Sequence, residues 1–464
     1  MSSIISDPDL FRLFENTYPN TLDTAIRWHG RAAHNSDEEL TFIITGDIDA
    51  MWLRDSANQL QTYLPILSLP SIKDPLKEPI AGLFRGAINL QARYLLTAPF
   101  CNSFQPPPES GIASSANAFS QSDTVSPPYP PEYVFECKFE LDSLAAFLQL
   151  STDYFESTHD LSFFSSFQWL PAVQAVLRTA KAMTQPTYDP DTGAVLAPPY
   201  TFTRETSRST ETLANDGLGS PVAAGIGMVR SAFRPSDDAT TWGFLVPANM
   251  MFARYLAGAA LIVRELGGEA PAGLADEMSA FSRQVRDAVE KWGVVSVRTK
   301  DGTAEETVYA YEVDGFGSAA VMDDANIPSL LAAPLFGYLA NANPLYQRTR
   351  ARILDQGANP YFMRGPVINA VGGPHVGPGW AWPMASIVRA MTSEDDEEIA
   401  GVLRELLRTT DGLGLIHESV NSFDASKWTR QWFSWANGLF GQMILDLHHR
   451  KPHILEQSFQ PESY

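Results

Sequence analysis

The chain has 464 residues, 44% of them hydrophobic, and a formal net charge of −21. It can bury a large core in one to three domains, and its acidic balance argues against nucleic acid or an anionic membrane, because both reward a basic face. Two cysteines, Cys101 and Cys137, are too few for a disulfide framework, and with no signal peptide, 18-residue apolar run or N-x-S/T sequon the expectation is a soluble intracellular monomer.

Along the chain two kinds of helical segment alternate. One kind is amphipathic: Thr21 to Ala33, Ala81 to Ala98, Phe163 to Met183, Leu274 to Trp292, Pro344 to Gln356 and Ser393 to Arg408. In Leu274 to Trp292 the apolar stripe is Leu274, Met278, Phe281, Val285, Val289 and Trp292, spaced by three and four, and it leaves Asp276, Arg283, Arg286 and Glu290 in water. In Ser393 to Arg408 the first turn is acidic and the last basic, which suits the helix dipole. The other kind is apolar nearly all round, as in FLVPANMMFARYLAGAALIV from Phe244, and should be buried. Such segments start near Asp47, Glu136, Ser236, Asp323, Gly377 and Trp428, each from a polar or aromatic cluster. The alternation predicts an all-α fold, an (α/α)6 barrel of six inner and six outer helices in one domain over 1–464. No sequence repeat at fixed period supports an α-solenoid. VVSVRT, Asp301-Gly302 and VYAYEV read as an inserted β-hairpin. The stretch Asn102 to Glu132, rich in Pro and Ser, cannot bury enough apolar area to fold alone and reads as a long loop.

In that barrel the inner-helix starts converge at one end. The clusters GDIDAMWLRDS, ECKFELDS, FRPSDDATTW, MDDAN, GGPHVGPGWAWP, HES and WTRQWFSWAN are dense in carboxylates, tryptophan and arginine. That is the chemistry of a sugar pocket. Carboxylates accept from ring hydroxyls, Arg and Asn donate, and indole faces cover C–H surfaces.

The strings TGDIDAMWLRDSANQ, FRPSDDA, GPGWAWPMA and HESV with TRQWFSWANGLFG resemble glycoside hydrolase family 125, the metal-independent exo-α-1,6-mannosidases, from about Asn16 to Leu447. The resemblance implies an (α/α)6 barrel, no cofactor or metal, a mannose-containing glycan as partner, and removal of a terminal α-1,6-linked mannose with inversion. It implies a general acid at Asp237 or Asp238 and a general base at Glu418. An inverting enzyme needs one protonated carboxyl and one ionised carboxylate. Both aspartates follow Ser236, a good N-cap, and so should sit in a first helical turn, one ionised and structural, the other the acid. Glu418 should stand on a rigid loop after Gly412 and Gly414. The resemblance also places Asp47, Trp52, Arg54, Asp55, Glu136, Lys138, Asp142, Arg234 and His375 around the substrate. Cys137 and Phe139 depart from the family's ERKYELDS-like string.

Read alone, these residues have plainer explanations. Asp47 and Asp49 complement a helix dipole, Asp237-Asp238 is a capped helix start, and Trp428, Trp432 and Trp435 stand at the spacing of a packed helix. Asp323-Asp324-Asn326 lacks calcium-loop spacing, His448-His449 lacks a zinc motif, and Gly225-Ile226-Gly227 is no dinucleotide loop.

Overall fold

The computed structural model describes Met1, residues 4–70 and residues 72–460. The chain divides into two compact units, residues 26–321 and residues 1–25 with 322–464. Fourteen α-helices are accompanied by seventeen short strands among the described residues. The all-α expectation is therefore too narrow: the chain is helix-dominated but threaded with small sheets.

In the larger unit the apolar helix is Val246–Leu266. It packs between Leu141–Thr158 and Glu269–Trp292. Its length and hydropathy would suit a membrane span, but 83% of the apolar window is buried inside the protein, so it is a core helix. A Cβ at Gly258 would lie 2.4 Å from Thr152 Cγ2, so only glycine allows this close approach to Leu141–Thr158. Each large apolar side chain buried on this helix, such as Phe252 or Leu256, contributes about 1.5–3 kcal/mol. Glu269–Trp292 carries the predicted amphipathic stripe, with Met278, Val285 and Val289 fully buried. Leu53–Gln61 packs on Leu141–Thr158, and Asp74–Thr97 on Trp169–Ala182.

In the smaller unit Pro8–Thr17, Pro383–Met391, Asp396–Leu407 and Ser434–Arg450 form the helical core. Asp395 caps Asp396–Leu407 by accepting from Glu397 N and Glu398 N. Pro344–Ile353 is capped by Asn343.

Several boundaries differ from the sequence reading, for one physical reason. Only the last residues of some polar clusters, such as Arg54, Asp55 and Asp142, reach a first helical turn. Most clusters lead into strands of two or three residues that precede the helix. Met51–Trp52 leads into Leu53–Gln61, Phe244–Leu245 into Val246–Leu266, and Trp380–Ala381 comes just before Pro383–Met391. Val134–Glu136 ends four residues before Leu141–Thr158. Asp237 and Asp238 lie in a tight turn eight residues or more before their helix, with Asp237 at φ +64°. No helix starts at Asp323, where the described chain runs in bends and turns. Instead the buried Asp323 carboxylate accepts from Leu330 N and Leu331 N, 2.9 Å each.

Thr21 to Ala33 is not an amphipathic helix. After one π turn it becomes strand Ile26–Ala32, paired with Asn35–Ile43. The predicted hairpin pairs Val294–Arg298 with Glu305–Tyr309, but Glu312–Val313 leaves it to pair with Phe244–Leu245. Of the three spaced tryptophans only Trp435 is on a helix, while Trp428 sits on strand Asp424–Thr429.

The Pro/Ser-rich stretch is tied at both ends. Ser103–Phe104 is the central strand between Met51–Trp52 and Val134–Glu136. Thr124–Ser126 pairs with Thr201–Thr203. Cys101 and Cys137 form a disulfide.

Candidate active site

In the larger unit the residues predicted around WLRDS and ECKFELDS do come together. Arg54, 4% exposed, is their hub. Its Nη1 donates to Glu140 Oε2 at 2.6 Å and to Asp142 Oδ2 at 3.0 Å, and its Nη2 lies 3.3 Å from Asp55 Oδ2. Burial opposes the guanidinium's charge, but Glu140, Asp55, Asp142 and Asp237 outweigh burial and hold the proton on Arg54. Arg54 and Lys138 together carry fewer charges than the four carboxyls, which favours the neutral form of a buried carboxyl. Burial, with Asp237 and Asp142 beside it, raises the Glu140 carboxyl well above the ordinary range, against the pull of Arg54. Asp142 is raised by burial too.

Glu140 and Asp237 both accept from Asn102 Nδ2, at 3.2 and 3.3 Å, and the Asp237 charge helps to raise Glu140. Asp237 is partly exposed, whereas Asp238 is 1% exposed. Ser236 Oγ donates to Asp238 Oδ2 at 3.4 Å, and the Asp238 carbonyl accepts from Arg234 N at 2.8 Å. The turn therefore buries one aspartate and presents the other. Positive φ at Asp237 is tolerable because aspartate is one of the few residues that enter the left-handed region at modest cost.

Lys138 donates from Nζ to the Asp237 carbonyl at 2.9 Å and lies 3.7 Å from Glu136 Oε1. Burial disfavours its charge, but Glu136 and Asp237 prevail and raise its pKa. Glu136 also accepts from Arg204 Nη2 at 2.8 Å, and Arg204 is doubly bonded to Asp123. Arg234 is committed to Glu312 at 2.6 Å, and Glu312 also accepts from Thr241 N and Trp242 N. Arg234 thus pins the turn that carries Asp237. Trp52 packs edge-on against Phe135, with its Nε1 making no protein hydrogen bond. Asp47 lies in a bend and Asp49 pairs with Arg27 on the surface, so neither starts a helix.

In the smaller unit Glu418 follows a loop in which Gly412 and Gly414 both have positive φ. The strings HESV and TRQW become neighbouring strands, with Ser419 opposite Thr429. That register brings two donors to the Glu418 carboxylate. Thr429 Oγ1 reaches Oε2 and Arg430 Nε reaches Oε1, both at 3.0 Å. Arg430 has φ +50°. His417 fixes its backbone, with Nδ1 3.1 Å from the Arg430 carbonyl and the ring stacked on Trp428 at 4.4 Å. Burial lowers the His417 pKa. His375 stands edge-on to Trp382 at 6.3 Å.

Sequence reading missed Glu140, Asn102, Arg204 and Arg430. Glu140 was visible in the ECKFELDS string, and Arg430 in TRQW. Neither carries a motif of its own, because their partners lie far away in sequence.

Comparison with known proteins agrees with this chemistry. The family model for metal-independent α-mannosidases (GH125) matches residues 7–445. The meiotically up-regulated gene 157 protein of Schizosaccharomyces pombe is 46% identical over 454 residues, 98% of this chain and 85% of that protein. A solved metal-independent α-mannosidase of Streptococcus pneumoniae, in a non-productive complex with α-1,6-mannobiose, superposes with a TM-score of 0.81 at 31% identity, covering 96% of this chain and 95% of that one. A bacterial glucoamylase bound to acarbose superposes with a TM-score of 0.50 at 10% identity, over 88% of this chain and 51% of that one, a likeness of fold alone. These are (α/α)6 glycosidases, which gives the chain its fold class.

Proposed function

We infer the reaction from the family to which this chain belongs, the metal-independent α-mannosidases of glycoside hydrolase family 125, and from its own carboxylates: it removes a terminal α-1,6-linked mannose with inversion. The α-1,6 linkage follows the mannobiose bound to the Streptococcus pneumoniae relative. The observation that carries the roles is the contrast between Asp237 and Asp238. Asp237 is the accessible one and lies with the raised Glu140 on the same Asn102 amide, so Asp237 is the general acid and Asp238 the structural residue. It donates its proton to the glycosidic oxygen as the C–O bond breaks. Glu418 takes a proton from the water that attacks the anomeric carbon from the opposite face. Both its oxygens accept hydrogen bonds, from Thr429 and Arg430, which fixes the carboxyl's orientation. Arg54, Asp55, Asp142 and Lys138 serve the bound sugar. Asp142 Oδ1 and Trp52 Nε1 are buried polar atoms with no protein hydrogen-bond partner. The Cys101–Cys137 disulfide favours maturation in an oxidising compartment over the cytosol.

The test is hydrolysis of α-1,6-mannobiose in EDTA, followed by NMR of the freshly released sugar. The expected product is β-mannose. Asp237→Asn and Glu418→Gln should each lose roughly 10²- to 10⁴-fold in kcat, and Asp238→Asn should lose stability first. Release of α-mannose, or full activity in Asp237→Asn, would reverse these roles.

A further inference from the structure

Asn102 opens the Pro/Ser-rich stretch, and nothing in its sequence context marks it. In the structure it is fully buried, and both polar atoms of its side chain are engaged. Its Nδ2 donates to Glu140 Oε1 at 3.2 Å and to Asp237 Oδ1 at 3.3 Å. Its Oδ1 accepts from Lys138 N at 3.0 Å, and its carbonyl accepts from Leu53 N at 3.0 Å. A single amide group therefore bridges these two carboxyls. A second relation is covalent. Asn102 follows Cys101, and Lys138, whose Nζ holds the Asp237 carbonyl, follows Cys137. The disulfide joins these two half-cystines with Cα atoms 4.0 Å apart. The two residues that grip Asp237 are thus each one peptide bond from the same cross-link.

We propose that Asn102 is a positioning residue for the general acid, and that the Cys101–Cys137 disulfide is the brace that keeps Asn102 and Lys138 on Asp237. The inference rests on Asp237 being that acid. The chemistry explains the residue type. An amide donates to both carboxyls without adding charge. A lysine or arginine there would favour the ionised form of the acid, and an aspartate would add a third like charge to the pair. Asn102 acts on the sugar only through Asp237. It acts by aiming Asp237, so its removal should harm only substrates whose leaving group must be protonated.

That selectivity is the test. Two substrates are compared, α-1,6-mannobiose, whose sugar alkoxide leaves only with a proton, and 2,4-dinitrophenyl α-mannoside, whose phenolate leaves without one. Asp237→Asn is run first as the reference. It should lose activity on mannobiose far more than on the aryl mannoside. Asn102→Ala should show the same split at smaller size, on the order of tenfold to a hundredfold in kcat on mannobiose, with the aryl substrate within about threefold of wild type. Cys101→Ala with Cys137→Ala should show it too. If Asn102→Ala does not fold, Asn102→Ser, which keeps one donor, carries the comparison. Equal losses on both substrates in the Asn102 variants, or none, while Asp237→Asn splits them, overturn the positioning role. A double cysteine variant with the wild-type ratio overturns the brace. No split in Asp237→Asn overturns the acid assignment, and this inference with it.

Discussion

The Glu140–Asp237 region and the Glu418 region contain the same chemical group under opposite conditions. Around Arg54 and Lys138 the carboxyls outnumber the cations and lie in a desolvated interior, and Glu140 is pushed far up. Around Glu418 a guanidinium and a hydroxyl each donate to one oxygen of a single carboxylate. The difference teaches that a carboxyl's role is set by the ratio of carboxyls to donors around it, more than by its residue type.

The contrast can be broken most sharply at Arg430. Arg430→Ala removes the guanidinium from Glu418 and leaves the Thr429 hydroxyl in place. On mannobiose kcat/KM should then fall on the order of tenfold to a hundredfold as the carboxylate loses its aim. Unchanged kinetics would remove Arg430 from the mechanism. Glu140→Gln sharpens the other side. The last proton of two neighbouring carboxyls is held to higher pH than that of a lone one, because its loss would leave two like charges together. Losing a proton beside a neutral amide is easier than beside a carboxylate. The basic limb of the pH–rate profile should therefore move to lower pH in Glu140→Gln, and an unmoved limb would separate Glu140 from the acid.

A third carboxylate tests burial without catalysis. Burial, with Asp324 nearby, pushes Asp323 up to about 8 against the Leu330 and Leu331 amides. The folded state then holds this proton between about pH 4, where the unfolded chain releases it, and about pH 8. Stability should fall with rising pH across that window, by at most about 1.4 kcal/mol per unit from this group. Asp323→Asn should flatten the slope in urea unfolding at pH 5 and pH 7. The smallest effect belongs to the surface pair Arg27–Asp49, whose side chains are 49% and 42% exposed. Arg27→Ala should change unfolding free energy by less than about 0.5 kcal/mol.

Much of the site was legible. The strings GDIDAMWLRDS, ECKFELDS, FRPSDD and HES name most of its carboxylates and cations, and Arg54, Asp55 and Asp142 meet as expected. The helix starts were misplaced because strands of two residues, such as Met51–Trp52, are too short to show an alternating pattern. The choice between Asp237 and Asp238 was illegible because it depends on a left-handed turn rather than on a helix cap.

By itself the sequence determined the alternation of apolar and amphipathic helices and the residue types of a sugar-handling site, because periodicity and motif strings are local properties. Only the tertiary structure decided which carboxyl is pushed up by burial, which aspartate is presented, and that Cys101 meets Cys137. Those outcomes depend on contacts between residues far apart in the chain. Asn102 and Asp237 are 135 positions apart, and Arg54 and Glu140 are 86 apart. Such contacts set burial and hydrogen bonding, and these in turn set the chemistry of each group.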